Sequence, residues 1–250
     1  MSAPNLSCEQ PTTYSTSLGA LADYKQSTPC NTTYGDCGCD NCYATNPSAL
    51  LNVPARFDDY RNYQAQLGLD QKPFWAVPQA FGNAQFWKRE PAAEELITMT
   101  LLSINHGAKG VVMWTWPTSG ALADVTSRFA KVVTGIGAGF WLGANGRVLE
   151  TEGASSGSLD AAAWVVGERM LVSVANVAGE ITGRVTVTLP DGVQAKAIQQ
   201  VAWGSSGWVF RGGNQLVRTG MGAVESDIVV IDIAGGLLNG PAIGNLTATS

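Results

Sequence analysis

Two hydrophobic rhythms divide this chain. From about residue 52 to 134 apolar positions recur every three or four residues, broken by two continuous apolar runs; beyond Gly146 they come in short segments at near-regular spacing. Val53, Phe57, Tyr60, Tyr63 (or Gln64) and Leu67 predict a helix over residues 52–67, opened by Asn52 and Pro54 and closed by Gly68. A second helix is predicted from Pro91 to His106. Ile97, Leu101 and Ile104 form its stripe, widened by Leu96, Met99 and Leu102. Glu94 and Glu95 fall in its first turn, where the helix dipole favours carboxylates, and Gly107 is its stop. A third is predicted from about Leu122 to Thr134, on Val125, Phe129, Val132 and Val133. The continuous runs Lys72–Gln79 and Val111–Pro117 flank the second helix, so strand, helix and strand form a βαβ unit with parallel strands.

Seven short strands are expected beyond Gly146: 161–166, 170–177, 184–189, 195–203, 208–211, 215–219 and 227–233. They carry turn residues between them and no helix, the pattern of an antiparallel β-sandwich. Residues 1–50 lack periodicity and are predicted as loop. The fold class is therefore α/β plus all-β, with a βα-type domain over 1–142 and a sandwich over 143–250.

Composition narrows the function. Only 14 % of residues are charged and 29 are glycine, which describes a turn-rich globular chain rather than a disordered one. The net charge is −5 with no basic cluster, which argues against nucleic acid as a partner. No apolar run approaches the ~20 residues that span a bilayer, so no membrane partner is expected. No basic-then-apolar leader opens the chain. The single histidine, His106, sits where a helix ends rather than beside a nucleophile, and is expected to be a cation on the helix dipole or a partly packed side chain. One histidine cannot build a multi-histidine metal site. Neither a metal nor a cofactor is expected.

Cysteine usage points another way. Cys30, Cys37, Cys39 and Cys42 crowd one polar segment, with Cys8 apart. A loop with no core of its own needs a staple. Four thiolates could close a zinc site, but only Cys39–Cys42 has knuckle spacing, so two disulfides are the expected form. Sequons at Asn5, Asn31 and Asn245 suit a secreted glycoprotein.

Candidate chemistry gathers where the parallel strands end: Gln79, Phe81, Trp114 and Trp116, with Phe86 and Trp87 in the loop after the first strand. An amide beside aromatic faces suits a polyhydroxylated ligand. Trp114 and Trp116 are two apart, so in a strand both face one side. The plainer roles are a buried amide tying strands together and tryptophans packed under helices. Glu90, Glu94 and Glu95 read as helix-start charges, Asp36 and Asp40 as turn formers, and Trp164, Trp203 and Trp208 as sandwich core.

The segments KPFWAVPQAFG and FWKREPAAEELITMTLLSINHGAKGVVMWTWP resemble the last strands of a glycoside-hydrolase-like TIM barrel. The resemblance is to secreted fungal proteins of that superfamily, in which an HGAKG-type turn feeds the final barrel strand and a small sandwich follows. It spans roughly residues 28–235, and CNTTYGDCGCDNC fits a long loop on the catalytic face. It implies a partial (βα)8 barrel holding roughly the last three units, with an oligo- or polysaccharide as partner. It further implies hydrolysis of O-glycosidic bonds by two carboxylates in the complete form. If Lys72–Gln79 is strand seven, the nucleophile position holds Gln79, and an amide cannot attack an anomeric carbon. The strand-four carboxylate would lie upstream. No catalytic carboxylate is identifiable, and this chain is expected to be the inactive C-terminal part of a longer protein. A non-catalytic carbohydrate-binding barrel and an extracellular structural fragment are the alternatives.

Overall fold

The computed structural model describes residues 48–82, 89–153 and 157–234. The five cysteines, the three sequons, Asp36, Asp40, Phe86 and Trp87 lie outside the described residues.

Helix α1 (Asn52–Gln66) buries Val53, Pro54 and Phe57 and ends at Gly68, whose φ of +62° only glycine adopts easily. Strand β1 (Phe74–Ala76), helix α2 (Ala93–Asn105) and strand β2 (Ala108–Val111) form the expected unit, with β1 and β2 parallel. Both strands are shorter than predicted, and β2 begins earlier. Gly107, at φ +95°, ends the helix within one residue, so the chain is already extended at Ala108. Pairing resumes once, as a parallel bridge between Gln79 and Trp114, after which residues 115–117 bend away. The Trp114–Thr115 and Trp116–Pro117 peptide bonds are cis. Among the described residues, β1 and β2 are the whole of the parallel portion.

From Leu96 to Asn105 every residue of α2 is buried, as befits a helix with apolar groups on several sides. It touches α1, β2 and helix α3 (Gly120–Val132). Ser119 Oγ caps α3 by accepting the Leu122 N–H at 3.4 Å, and Leu122, Val125 and Phe129 face inward. A single turn, α4 (Ala138–Trp141), precedes the sheets.

Nine antiparallel strands follow: β3 (Arg147–Val148), β4 (Thr151–Glu152), β5 (Leu159–Val166), β6 (Arg169–Asn176), β7 (Ile181–Thr188), β8 (Gln194–Trp203), β9 (Val209–Arg211), β10 (Gln215–Met221) and β11 (Ser226–Ala234). Each of the seven predicted strands is present, with β3 and β4 added. They form a four-stranded sheet, β4-β7-β10-β9, and a five-stranded sheet, β3-β5-β6-β11-β8. Between the sheets lie Met170, Val172, Val174, Val229 and Ile231 with Val185, Val187, Leu216 and Trp208.

The other face of the five-stranded sheet is equally apolar. Ala162, Trp164, Leu171, Ala175, Ile228 and Val230 join the helices in one core with Leu96, Leu101, Phe129 and Trp141. The order of layers is therefore helices, five-stranded sheet, four-stranded sheet. The core runs without a break from the helices into the sheet, and fully burying one such Val, Leu or Ile side chain is worth ~1.5–3 kcal/mol.

Candidate functional site

The ends of β1 and β2 bring three of the predicted residues together. Gln79 is 1 % exposed. Its Nε2 donates to the Phe81 carbonyl at 2.7 Å and to the Arg89 carbonyl at 3.0 Å, which uses both amide hydrogens. Its buried Oε1 has no hydrogen-bond partner among the described residues. Gln79 therefore pins together the two ends of the 81–89 segment. Those ends nearly touch: a Cβ on Gly82 would fall 2.1 Å from the Glu90 nitrogen, so only glycine fits. Backbone bonds fix the neighbouring strand end, with Ala80 N–H donating to the Trp114 carbonyl at 2.5 Å and Trp114 N–H to the Pro78 carbonyl at 3.0 Å.

This scaffold sets the Phe81 ring against Trp114, centroids 5.2 Å apart and planes tilted by 57°. Trp114 is half-buried, whereas Trp116 is 59 % exposed. Because the chain bends after Trp114, strand alternation does not extend to Trp116, and the two indoles differ in burial rather than sharing one strand face. Trp87 lies outside the described residues.

The nearby carboxylates have other work. Glu95 holds Arg89 through two hydrogen bonds, at 2.6 and 2.7 Å, and accepts the Ala92 N–H at 2.7 Å at the start of α2. Burial acts to raise its pKa, but Arg89 and the Ala92 N–H outweigh it and hold the carboxyl below its ordinary value. An ionised cap is a poor proton donor. Glu90 and Glu94 are exposed.

Sequence reasoning missed two buried charge networks. In the first, His106 stands between α1 and β5. Its Nδ1 lies 3.0 and 3.1 Å from the two Asp58 oxygens, and its Nε2 lies 2.8 Å from Asp160 Oδ2. Both ring nitrogens face carboxylate oxygens, so both carry protons and the ring is a cation. Arg61 bonds Asp58 and donates to the His106 carbonyl at 2.5 Å, while Asn105 links Asp160, at 2.6 Å, to Ser173. The expected helix-end cation is present, but side chains 48 and 54 positions away hold it. Its one sequence signal was a lone histidine before a helix-stopping glycine.

In the second, Asp227 is fully buried. It accepts from Ser205 N–H and Trp208 Nε1, each at 2.8 Å, and from Arg218 Nη1 at 2.5 Å. Arg218 also bonds Glu225 at 2.8 Å. Gly204 (φ +83°) makes room, since a Cβ there would fall 1.9 Å from Asp227 Oδ1. Trp164 and Trp208 lie in the core, and Trp203 packs edge-on against Phe129 at 4.9 Å. Among the described residues no group of three or more His, Cys, Asp or Glu is arranged to hold a metal, and no helix is long and apolar enough to cross a membrane.

No family model matches the chain, and no curated protein matches it. Among solved structures, a debranching enzyme from Nostoc punctiforme overlaps 53 % of this chain and 31 % of its own, at 12 % identity and a TM-score of 0.39. A GH30 endoxylanase from Clostridium papyrosolvens overlaps 77 % of this chain and 52 % of its own, at 13 % identity and a TM-score of 0.37. An isomaltulose synthase from Erwinia rhapontici, in complex with D-glucose, overlaps 50 % of this chain and 22 % of its own, at 14 % identity and a TM-score of 0.30. The chain thus spans between about a fifth and about a half of these glycoside-processing enzymes. Overlaps this loose establish neither a shared fold nor a shared chemistry.

Proposed function

We propose that this chain is the C-terminal part of a glycoside-hydrolase-like barrel protein with its accessory sandwich. It binds an oligo- or polysaccharide across Phe81, Trp87, Trp114 and Trp116, with Gln79 beneath. The observation that carries the reading is the Phe81–Trp114 pair, held on a buried amide beyond the C-terminal ends of parallel strands. In βα barrels those ends converge on one side, where ligands sit. Sugar rings offer apolar C–H faces to aromatic planes. Because its N–H groups are spent on the Phe81 and Arg89 carbonyls, Gln79 serves by positioning Phe81. In the complete form two carboxylates from outside the described residues would hydrolyse O-glycosidic bonds, and secretion would accompany the cysteine-rich loop.

A second reading, a non-catalytic carbohydrate-binding barrel, draws on the amide at Gln79 and on Glu95 being committed to Arg89. One experiment addresses both. The chain is titrated calorimetrically with xylo-, cello- and malto-oligosaccharides, and sugar release is assayed alongside. Trp114→Ala is expected to weaken binding by about tenfold, the ~1.4 kcal/mol of a central aromatic contact. Trp116→Ala and Gln79→Ala are expected to follow in the same direction, while Trp203→Ala, remote from this face, leaves affinity unchanged. Sugar release by a complete form of the protein favours the first reading, and binding without release by that form favours the second. Absence of binding to every glycan, or binding that ignores Trp114 and Trp116, refutes the carbohydrate face.

A further inference from the structure

At the opposite ends of β1 and β2 lies a cavity of about 210 Å³. It is walled by Arg61, Lys72, Phe74, Lys109, Trp141 and Trp164, among others, and no carboxylate of the described residues lines it. That is against the composition of a chain with 20 acidic and 15 basic residues. The Arg61 charge is met by Asp58. Among the described residues Lys109 has no such partner: its Nζ donates to the neutral carbonyls of Trp141, at 2.7 Å, and Ala144, at 3.5 Å. Burial lowers its pKa, the mark of an ammonium drawn from water without a counter-charge. Trp141 is only 4 % exposed, and its buried Nε1 has no hydrogen-bond partner among the described residues. That nitrogen is sealed from solvent, so the wall's hold on an anion rests on the lysines.

We propose that this cavity binds a small organic anion. Its carboxylate is taken by the Lys109 ammonium, with exposed Lys72 adding charge, and its apolar body rests against Phe74 and Trp164. The volume gives room for one compact carboxylate with a small apolar body. The site lies at the far ends of the strands from the aromatic pair, and it stands or falls independently of the carbohydrate reading.

The test is an NMR titration of the full chain with benzoate, acetate and inorganic phosphate, following the indole N–H of Trp141, which Trp141→Phe assigns by its loss. Benzoate is expected to shift that resonance saturably and to bind more tightly than acetate or phosphate. Lys109→Met should weaken binding about tenfold, as loss of a charge-assisted bond requires. Lys72→Gln should weaken it about threefold. Lys72 is exposed, so its variant keeps the test decisive if Lys109→Met fails to fold. No saturable shift up to about 50 mM benzoate, a Kd weaker than any useful affinity, overturns the proposal. So does binding that ignores both Lys109 and Lys72. Phosphate binding more tightly than benzoate overturns the assignment of an organic ligand.

Discussion

Raising the pH through the titration of His106 should unfasten α2 from both its neighbours. Burial by itself would lower this pKa, but hydrogen bonds and charge from Asp160 and Asp58 outweigh it and carry the value up to about 9 from 6.5. The folded protein therefore holds the proton more tightly than the unfolded chain. Stability from this source is complete below about pH 6.5, declines as pH rises towards 9, and is gone above it. A rise from 6.5 to about 9 is worth about 3 kcal/mol, at ~1.36 kcal/mol for each tenfold change in proton affinity, a large share of the ~5–15 kcal/mol that holds a typical domain. Urea unfolding followed by circular dichroism between pH 6 and 9.5 measures the loss. His106→Gln supplies the control, because its stability should lack this slope while other groups titrate as before. Since His106 is the only histidine, one set of imidazole resonances reports the titration directly. A stability gap between the two proteins that stays constant across this range refutes the reasoning, as does an NMR midpoint near 6.5.

Asp227→Ala should cost ~3 kcal/mol or more in urea unfolding, because it strands Trp208 Nε1, the Ser205 N–H and part of the Arg218 charge in a buried site; a loss under ~1 kcal/mol would contradict this. A fragment of residues 146–234 should bind the dye ANS and melt less cooperatively than the full chain, since Trp164, Leu171, Ile228 and Val230 lose their cover of helices; a sharply melting fragment that leaves the dye dark would refute it. Mass spectrometry after alkylation should find two disulfides among Cys30, Cys37, Cys39 and Cys42. Four free thiols before reduction, or stoichiometric zinc, would exclude them.

Local patterns were legible in this chain because short-range physics writes them. Helix α1 is bounded by Pro54 and Gly68, and α2 by its glutamates and Gly107, close to where they were expected. Strand β7 declares itself through Val185 and Val187 against Arg184 and Thr186. The early start of β2 was obscured by Gly110, which reads as turn but is needed because the Trp75 ring lies over it, 2.5 Å from where a Cβ would stand. The middle position of the five-stranded sheet was present in the text as the runs AAAWVV, MLVSVA and IVVI, which are apolar on both alternations. At the candidate site, spacing could name Gln79 and Trp114 but could not say that the amide would face two carbonyls of its own loop. The partners of His106 lie 48 and 54 residues away, and no periodicity links positions that far apart.

The two-sided burial of β5, β6 and β11 has a cost in folding specificity. A strand with one wet face cannot slip by one residue, because the slip would turn its apolar set outward. These strands carry apolar groups on both faces, so slippage by one residue meets little resistance from burial alone. Alignment must then rest on the few polar side chains. Ser173 has its partner Asn105 on one side only, and Ser226 meets Thr98 at 2.8 Å. Asp227 reaches Arg218 and Trp208 from the opposite face. These groups act as pegs: shift the strand by one residue and each hydroxyl or carboxylate lands in hydrocarbon without a donor or acceptor. Their replacement by Ala or Val would preserve hydrophobicity while removing what makes one alignment win, and mispaired, aggregating chains would be the outcome to watch for during refolding.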